Sequence, residues 1–408
     1  MNNLPLNGTR VMEMGHIVAG PTGGLILADL GADVIKIEDP LRGGDQARKA
    51  PAGAAGTWLF LNRNKRSFAL NLKQPEGKEL FIKLAATSDV VLDNYAPGVL
   101  ERLGVDFSVV SKVNPRIIYC SINGFLEGPY AHRPALDEVA QMMGGIAFMT
   151  GPPDRPLRIG ASVTDISAAT YGVIGILCAL FQREKTGHGQ RFTAGLFETV
   201  VFWVGQHLSQ FGLTGHPPEP MPVRKMGPRF RWGVFDLFRA KDDKQVFIGV
   251  TSDRHWASFC KSFQQSDLSS HPDLTDNVKR TASRDWLLPR VQEIVGKYES
   301  EELMSKLEAA DIPHAPVNTP ADVYNDPYLT NHEGRMLHIE SKSHATDASN
   351  KTIRTPALPI ESNEFKFSVR RQPPRLGEHT RELLKELGVP DMKIQKLVEE
   401  KVVLVSDS

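Results

Sequence analysis

The sequence predicts an α/β fold in which helices cover both faces of a parallel sheet, together with a smaller α+β domain. Between residues 10 and 205, short apolar runs alternate with helical patterns, as in strand–helix–strand units. Because parallel strands need long crossover connections, helices between the strands favour a parallel sheet. After residue 205 the chain becomes proline-dense and then changes to a hairpin pattern with helices, which indicates a second domain.

The first strand–helix–strand unit opens the chain. Residues 10–14 form an apolar strand, Gly20-Pro21 begins a helix that Gly31 ends, and residues 34–37 form the next strand. The same order recurs in predicted helices at 76–86 and 97–103 and predicted strands at 90–92 and 117–121.

A long apolar stretch, residues 166–182, predicts a buried helix. It contains Ser, Thr, Tyr and two Gly, so we interpret it as too short and too mixed to cross a membrane. Residues 1–9 lack the basic and apolar regions of a signal peptide. We therefore expect a protein without membrane association.

The changes in pattern also predict the domain boundaries. We expect the first part of a large domain at 1–205, a linker at 206–225, a small α+β domain at 226–325 and a C-terminal segment at 326–408. The smaller elements are predicted strands at 233–239 and 245–250, and predicted helices at 255–263, 285–297 and 381–387.

Composition excludes several classes of protein. The 408 residues carry 48 basic and 48 acidic side chains, and this balance argues against a nucleic-acid partner, which favours a net basic face. The cysteines Cys120, Cys178 and Cys260 are far apart and odd in number, so we expect neither a disulfide framework nor a metal site. This cysteine usage fits a reducing cytoplasm.

Asp165 precedes the apolar helix and has two interpretations. As a helix N-cap, its carboxylate would bind the free N–H groups of the first turn. As a nucleophile, it would profit from the small residues at 160–164, which let a bulky thioester approach. Asp137 and Glu138 are either a second carboxylate site that handles protons or repels the first, or an exposed acidic pair at a helix start.

Basic and glycine-containing segments leave further alternatives. The basic loop 62–67 and the cluster Arg224, Lys225, Arg229 and Arg231 are either solvated surface or a grip on a phosphorylated ligand. The turn at residues 15–21 follows the first strand, where doubly wound sheets bind ligands. It lacks the glycine fingerprint of dinucleotide-binding proteins, so Glu38 is only weak support for an NAD site.

Several segments together resemble one family, the class III CoA-transferases (the CaiB/BaiF family, which includes formyl-CoA transferase). The similarity runs from about residue 5 to about residue 390 and is most specific between Gly160 and Gln190. The other matching segments are 19–21, 30–38, 64–67 and 94–98.

The resemblance implies a fold and an assembly. The large domain would hold a Rossmann-like sheet built from the N-terminal half and the C-terminal segment, with the small domain between them in sequence. Two ring-like chains would interlock as a homodimer. The substrates would be an acyl-CoA and a free carboxylic acid, with no prosthetic group and no metal.

The resemblance also implies site residues. Asp165 matches the nucleophilic aspartate of the family, and Asp137 matches an acidic residue near that nucleophile. The positions that match the CoA site are Ile17, Leu70, Asn94, Tyr95, Val99, Arg102 and Leu103.

Departures from the family pattern bear on the substrate. Val18 replaces a glutamine beside the acyl group, and Asp39 replaces an arginine of the CoA site, so formyl and oxalyl substrates are not expected. Related α-methylacyl-CoA racemases carry a histidine where this chain has Leu136, so a racemase or isomerase is the alternative rather than the first choice. Arg229 and Arg231 suggest a short dicarboxylate such as succinate, whose second carboxylate needs a cation.

The expected chemistry is covalent. Asp165 would attack the thioester of the donor, and the resulting anhydride would react with the CoA thiolate to give an aspartyl-CoA thioester. The acceptor carboxylate would then take over the CoA by the reverse sequence. Backbone N–H groups near Gly144 or Ser252 are the predicted oxyanion donors.

Overall fold

The computed structural model describes residues 4–49, 55–221, 232–341 and 352–406. The chain divides into two compact units. One is formed by residues 1–223 and 330–408, and the other by residues 224–329. The first unit is therefore built from both ends of the chain, and the second is inserted between them.

The strands and helices of the described residues follow in chain order. The strands are Arg10–Met14 (β1), Asp33–Glu38 (β2), Lys65–Leu70 (β3), Val90–Asp93 (β4), Ile118–Asn123 (β5), Arg191–Gly195 (β6), Val234–Arg239 (β7), Gln245–Val250 (β8), His314–Pro316 (β9), Met336–Glu340 (β10), Thr352–Pro356 (β11) and Val403–Leu404 (β12). The α-helices of the first unit are Ala19–Asp29 (α1), Ala55–Leu61 (α2), Pro75–Ala86 (α3), Val99–Leu103 (α4), Phe107–Val113 (α5), Asp137–Met143 (α6), Ile146–Thr150 (α7), Val163–Thr186 (α8), Leu196–Trp203 (α9) and Gly205–Thr214 (α10). They are followed by Asp253–Ser262 (α11), Ser266–Ser269 (α12), Asn277–Ala282 (α13), Arg284–Val295 (α14), Ser300–Ala309 (α15), Pro320–Tyr324 (α16), Pro327–Thr330 (α17), Thr380–Glu386 (α18) and Asp391–Glu399 (α19).

A seven-stranded sheet forms the centre of the first unit, and its strand order is β12-β3-β2-β1-β4-β5-β6. Strands β1 to β6 are parallel, and β12 joins the edge antiparallel to β3. The order 3-2-1-4-5-6 is that of a Rossmann-like sheet, so the predicted α/β fold is confirmed. The order reverses between β1 and β4, and this switch point is where such sheets bind ligands.

Hydrophobic clusters cover both faces of this sheet. Successive side chains of a strand point to opposite faces, so Met12 lies in one cluster and Val11 in the other. The first cluster includes residues of α3, α18 and α19, and the second includes residues of α1 and α8. Strands buried on both faces are characteristic of a parallel sheet between helices.

The basic segment 62–67 lies inside the fold, so its interpretation as a solvated loop or a phosphate grip is wrong. All six side chains are buried, and the segment runs into β3. Arg63 pairs with Asp29 at 2.6 Å, and Lys65 pairs with Glu13 at 2.6 Å. Partners of opposite charge make this burial possible, because an unpaired charge in the interior is costly.

Glu38 at the end of β2 is also fully engaged. Its carboxylate accepts hydrogen bonds from Arg48 Nε and from Ser67 Oγ, each at 2.7 Å. It is therefore not available for the ribose contact of a dinucleotide site.

The second unit has its own core. Strands β7 and β8 form the predicted hairpin, and β9 pairs antiparallel with β8 to complete a three-stranded sheet. Helices α11 and α14 contribute Trp256, Phe259, Leu287 and Val291 to one buried cluster with the sheet. This confirms an α+β arrangement for the inserted segment.

Two expectations about the middle of the chain are corrected. The predicted linker 206–225 overlaps helix α10, which runs to Thr214 before Gly215 turns the backbone. The apolar helix α8 has 24 residues rather than the predicted 17. By length and composition α8 could cross a membrane, although the core helix of a soluble protein passes the same test. Within the described residues it is the one helix of this kind.

Candidate functional site

The loops that follow β1 and β4 meet at the switch point of the large sheet. The side-chain amide of Asn94 accepts a hydrogen bond from the His16 N–H at 2.8 Å and donates one to the His16 carbonyl at 3.1 Å. The rings of His16 and Tyr95 pack edge to face with their centroids 4.5 Å apart. The two loops are thereby fixed to each other at the carboxyl ends of their strands.

Buried charges lie beneath this junction. The Lys36 ammonium is 2.8 Å from Glu13 and 3.0 Å from Asp45, and all three side chains are almost completely buried. Burial is the largest single influence and would favour the neutral acid, but the Lys36 charge and the hydrogen bonds from Ala47, Lys36 and Ile17 together outweigh it and lower the pKa of Asp45 to about 2. Burial lowers the pKa of Lys65 to about 8, although the negative charge of Glu13 favours the protonated ammonium.

The predicted CoA-site residues have different surroundings. Ile17, Asn94 and Tyr95 come together at the switch point, and the short helix α4, which carries Val99, Arg102 and Leu103, follows immediately after Tyr95. Leu70 ends β3 inside the hydrophobic core and is 1% exposed. Its side chain is therefore part of the core and does not face a ligand in this structure.

Asp165 is not the N-cap of α8. The helix begins at Val163 with Ser162 as N-cap, so Asp165 is the third helical residue. The predicted cap is wrong because the helix starts earlier than the apolar pattern does. Ser162 makes no side-chain cap bond, and the first N–H groups bind a carboxylate from another helix instead.

That carboxylate belongs to Asp137, the first residue of α6. Its Oδ2 atom accepts the N–H of Thr164 at 2.8 Å and the N–H of Asp165 at 3.1 Å. Asp137 is 5% exposed, so the interpretation of the acidic pair as surface residues does not hold for it, whereas Glu138 is half exposed beside Arg158. Asp137 was predicted to handle protons or to repel the first carboxylate, whereas its hydrogen bond to the Asp165 backbone was not predicted.

Gln141 completes this arrangement and was missed at the sequence level. The side chain is fully buried and donates from Nε2 to Asp137 Oδ1 at 2.5 Å. Its Oε1 accepts the N–H of Ile159 at 2.9 Å. The sequence signal that could have identified Gln141 is its position four residues after Asp137, which places it one helical turn away on the same face of the helix.

The Asp165 side chain is partly buried and electrostatically disfavoured as an anion. Burial, together with the smaller effects of the neighbouring carboxylates of Asp137 and Glu138, raises its pKa to about 7. Among the described residues, no cation or hydrogen-bond donor pairs with the Asp165 carboxylate oxygens. A desolvated carboxylate anion without a counter-charge or a proton donor can act chemically as an oxygen nucleophile.

The predicted oxyanion donors do not gain support. The Gly144 N–H donates to the Ala140 carbonyl at 2.8 Å as part of α6, so it is already used. Ser252 caps α11 in the second unit, where its side chain accepts the His255 N–H at 3.1 Å. The predicted substrate ligands Arg229 and Arg231, like Arg224 and Lys225, lie outside the described residues.

Comparison with known proteins supplies the family. The model of CoA-transferase family III matches residues 6–380. The chain is 34% identical to the succinyl-CoA–L-malate CoA-transferase beta subunit of Chloroflexus aurantiacus, over 98% of each chain. It is 32% identical to the human succinyl-CoA:glutarate CoA-transferase, covering 99% of this chain and 91% of the human protein.

Solved structures agree with the sequence relatives. A CaiB/BaiF family protein from Brucella suis superposes with a TM-score of 0.79 at 31% identity, covering 94% of this chain and all of that one. A Mycobacterium tuberculosis protein superposes with a TM-score of 0.80 at 26% identity. The resemblance that the motifs indicated is therefore confirmed. The protein belongs to CoA-transferase family III.

Proposed function

We propose that this protein moves CoA from a dicarboxylic acyl-CoA, such as succinyl-CoA, to a second free carboxylic acid, with Asp165 as the nucleophile. The observation that carries the proposal is the unpaired, partly buried Asp165 carboxylate at the start of α8, whose N–H is held by Asp137. Two relatives named for transfer between succinyl-CoA and a dicarboxylate, malate in one case and glutarate in the other, match nearly the whole chain.

In each step of the reaction, an incoming nucleophile replaces the group bound to one carbonyl carbon. An Asp165 oxygen bonds to the thioester carbon of the donor, the carbon–sulfur bond breaks, and the CoA thiolate leaves with the electron pair. The thiolate then attacks the Asp165 carbonyl of the anhydride and releases the donor acid as its carboxylate. Attack by the acceptor carboxylate on the aspartyl-CoA thioester repeats these steps in reverse. Atoms and electrons balance without a redox step.

Asp137 acts in this mechanism as a positioning residue. Because it accepts the N–H groups of Thr164 and Asp165, it fixes the backbone from which the nucleophile projects. Its negative charge also raises the pKa of Asp165, so the Asp165 carboxylate is more basic than an exposed one. Asp137 therefore supports both the place and the basicity of the nucleophile.

CoA is proposed to bind at the switch point. Ile17, Asn94 and Tyr95 would contact the ligand from the two loops, and Val99, Arg102 and Leu103 would contact it from α4. Arg102 is exposed and offers a guanidinium for a phosphate group. The acid substrate is proposed to have two carboxylates, with Arg229 and Arg231 as candidate partners for the second one.

The assembly is proposed to be a homodimer. Helix α8 is apolar enough in composition to cross a membrane, yet fewer than half of the residues in its most apolar window are buried within one chain. Its exposed apolar side chains are Ile166, Tyr171, Ile174, Leu177 and Phe181. A second copy would cover this surface, since a contiguous apolar patch of this kind marks an interaction site. The three cysteines are unpaired, which supports a place in the reducing cytoplasm.

The decisive experiment replaces Asp165 and follows transfer of CoA. We expect Asp165→Ala to abolish transfer from succinyl-CoA to malate or glutarate, and to abolish the hydroxamate that hydroxylamine forms with the wild-type aspartyl thioester. The matched control is Asp154→Ala, which removes an exposed carboxylate from the preceding loop. An Asp165→Ala protein that transfers at the wild-type rate would contradict the proposal.

The racemase alternative has its own signature. An isomerase would incorporate deuterium from solvent at the α-carbon of an acyl-CoA without any acceptor acid, whereas the transferase requires the acid. A panel of acyl-CoA donors and mono- and dicarboxylic acids, with the mass of the CoA product as readout, separates the two and identifies the substrates.

A further inference from the structure

Ile17 adopts a backbone conformation that its side chain disfavours. Its φ angle is +61°, in the left-handed region, where a β-branched residue is a genuine outlier. The side chain is nevertheless 46% exposed, so no packing in the core explains the conformation. Such strain persists only where surrounding bonds enforce it, and it concentrates at sites that bind or react.

Asp45 supplies the bond that enforces this conformation. Its two carboxylate oxygens lie 3.1 and 3.3 Å from the Ile17 backbone nitrogen and accept its N–H. The carboxylate is itself fixed, because Lys36 pairs with it at 3.0 Å and the Ala47 N–H donates to it at 2.9 Å. Asp45 is 1% exposed, so water does not compete for these bonds.

The two residues before Ile17 are held equally firmly. Lys36 donates to the Gly15 carbonyl at 2.8 Å, and Asn94 binds both backbone groups of His16. A Cβ atom on Gly15 would lie 2.8 Å from the carbonyl carbon of Gly20, so the loop also closes on itself too tightly for a larger residue. Three consecutive residues thus have a backbone atom bound by a distant side chain.

We propose that Asp45 is a positioning residue for the CoA site. By accepting the Ile17 N–H, it holds the backbone of Ile17 in the left-handed conformation, in which the loop after β1 presents Ile17 to the thioester. This inference rests on the proposed function, because it assumes that the acyl-CoA binds at the switch point. Asp45 does not touch the substrate. It acts through the conformation of Ile17.

The first test separates binding from chemistry. We expect Asp45→Asn to raise the KM for the acyl-CoA donor about tenfold or more, with kcat changed by less than about threefold. The matched control is Asp276→Asn in the second unit, which replaces another carboxylate that accepts a backbone N–H, that of Lys279, and should leave both constants unchanged. An unchanged KM in a folded Asp45→Asn protein would overturn the proposal.

The second test asks whether the backbone of Ile17 is the route of the effect. Ile17→Gly and Ile17→Ala both remove the side chain, but only glycine adopts the left-handed conformation without a steric cost. With Asp45 intact, the two variants should have similar KM values. In the Asp45→Asn background, the KM of the alanine variant should exceed that of the glycine variant by about threefold or more. Equal values in both backgrounds would overturn the proposed route.

A stability measurement covers the case in which Asp45→Asn does not fold. Ile17→Gly should have a Tm about 2–4 °C above that of Ile17→Ala, the reverse of the order at an ordinary position. The opposite order would overturn the proposal. Direct titration of the wild-type protein with CoA distinguishes failure of the proposed function from failure of the role of Asp45. If the wild-type protein neither binds CoA nor transfers it, the proposed function is wrong. If the wild-type protein transfers CoA and Asp45→Asn has the same KM, only the role of Asp45 is wrong.

Discussion

The Asp165 side chain, the proposed nucleophile, has its backbone bound by the same carboxylate that disfavours its own anion. Asp137 accepts the Asp165 N–H, and the same carboxylate raises the pKa of the side chain that it helps to hold. A helix N-terminus normally stabilises a negative charge. Here burial and the carboxylates of Asp137 and Glu138 outweigh that effect, so the ionised form of Asp165 lowers the stability of the fold.

This cost predicts a pH-dependent gain from Asp165→Asn. The pKa is raised from 3.8 to about 7, so the folded state binds more protons than the unfolded state between these values, and stability falls as the pH rises through them. At pH 8 the variant should be more stable than wild type by about 1–3 kcal/mol, and the difference should shrink toward pH 4.5. Urea unfolding at both pH values measures it, with Asp154→Asn as control. A gain independent of pH would contradict this explanation.

Gln141 predicts a second effect at the same scale. Gln141→Met keeps the approximate shape but leaves Asp137 Oδ1 and the Ile159 N–H without their partner. We expect a loss of about 1–3 kcal/mol in the free energy of unfolding and a lower kcat, because the nucleophile loses its support.

The variant Gln141→Glu provides the control for this effect. A protonated glutamate can still donate to Asp137 near pH 5, whereas the ionised form repels it at pH 8. The ratio of variant to wild-type kcat should therefore be higher at the lower pH. Equal ratios at the two values would show that the bond to Asp137 is unimportant for catalysis.

At the residue scale, the sequence indicates which side chains could carry the chemistry, but not which residues they contact. Asp165 and Asp137 were both named as candidates, Asp165 from its small flanking residues, Asp137 from the acidic pair that it forms with Glu138, and both from the family resemblance. The bonds from Thr164 to Asp137 and from Ile17 to Asp45 span 27 and 28 residues, and no local pattern contains them. The predicted site itself stays a prediction until the variants above are measured.

At the scale of elements, helix α8 has two apolar sides. One side packs on the sheet through Ala169, Val173 and Ile176, and the other exposes the residues proposed to meet a second chain. A helix that is apolar around its circumference is expected to be buried on all sides. One chain alone does not achieve this for α8.

This surface predicts the effect of a charge on the exposed side. Ile174 is 49% exposed. Because a carboxylate would be desolvated in the interface, Ile174→Glu should weaken the dimer and raise its dissociation constant at least about tenfold. Sedimentation velocity across a concentration series measures the change. Glu184→Lys, on an exposed and charged part of the same helix, should leave the association unchanged. A dimer that tolerates Ile174→Glu would place the interface elsewhere.

The elements differ in how far the sequence could predict them. Strands β1, β2, β4 and β5 were found within two residues, because their apolar runs are short and bounded by turn signals. Strand β3 was missed because it begins with Lys65 and Arg66, which a pattern rule assigns to the surface. Their partners, the buried Glu13 and the partly exposed Asp33, come from other strands, and a local window cannot include them.

At the scale of the whole molecule, alternation of strands and helices was enough to predict the α/β class and the second domain. The order of the strands, however, depends on which neighbours pair, and alternation does not determine it. The 3-2-1-4-5-6 order places the loops after β1 and β4 side by side, 78 residues apart in the chain. The candidate CoA site is a product of this topology rather than of any one segment.

The edge of the sheet has a consequence for the synthesis of the protein. Strand β3 pairs with β12, and Arg66 binds Glu382 and Glu386 of α18, so this side of the sheet depends on residues that are translated long after β3. A ribosome must make the entire inserted unit before those residues emerge. During that interval β3 presents an open edge to other nascent chains, and an open edge is a template for aggregation. Folding of the first unit can therefore be completed only after β12 has been synthesised, and a chain cut short before β12 leaves the ribosome with that edge uncovered.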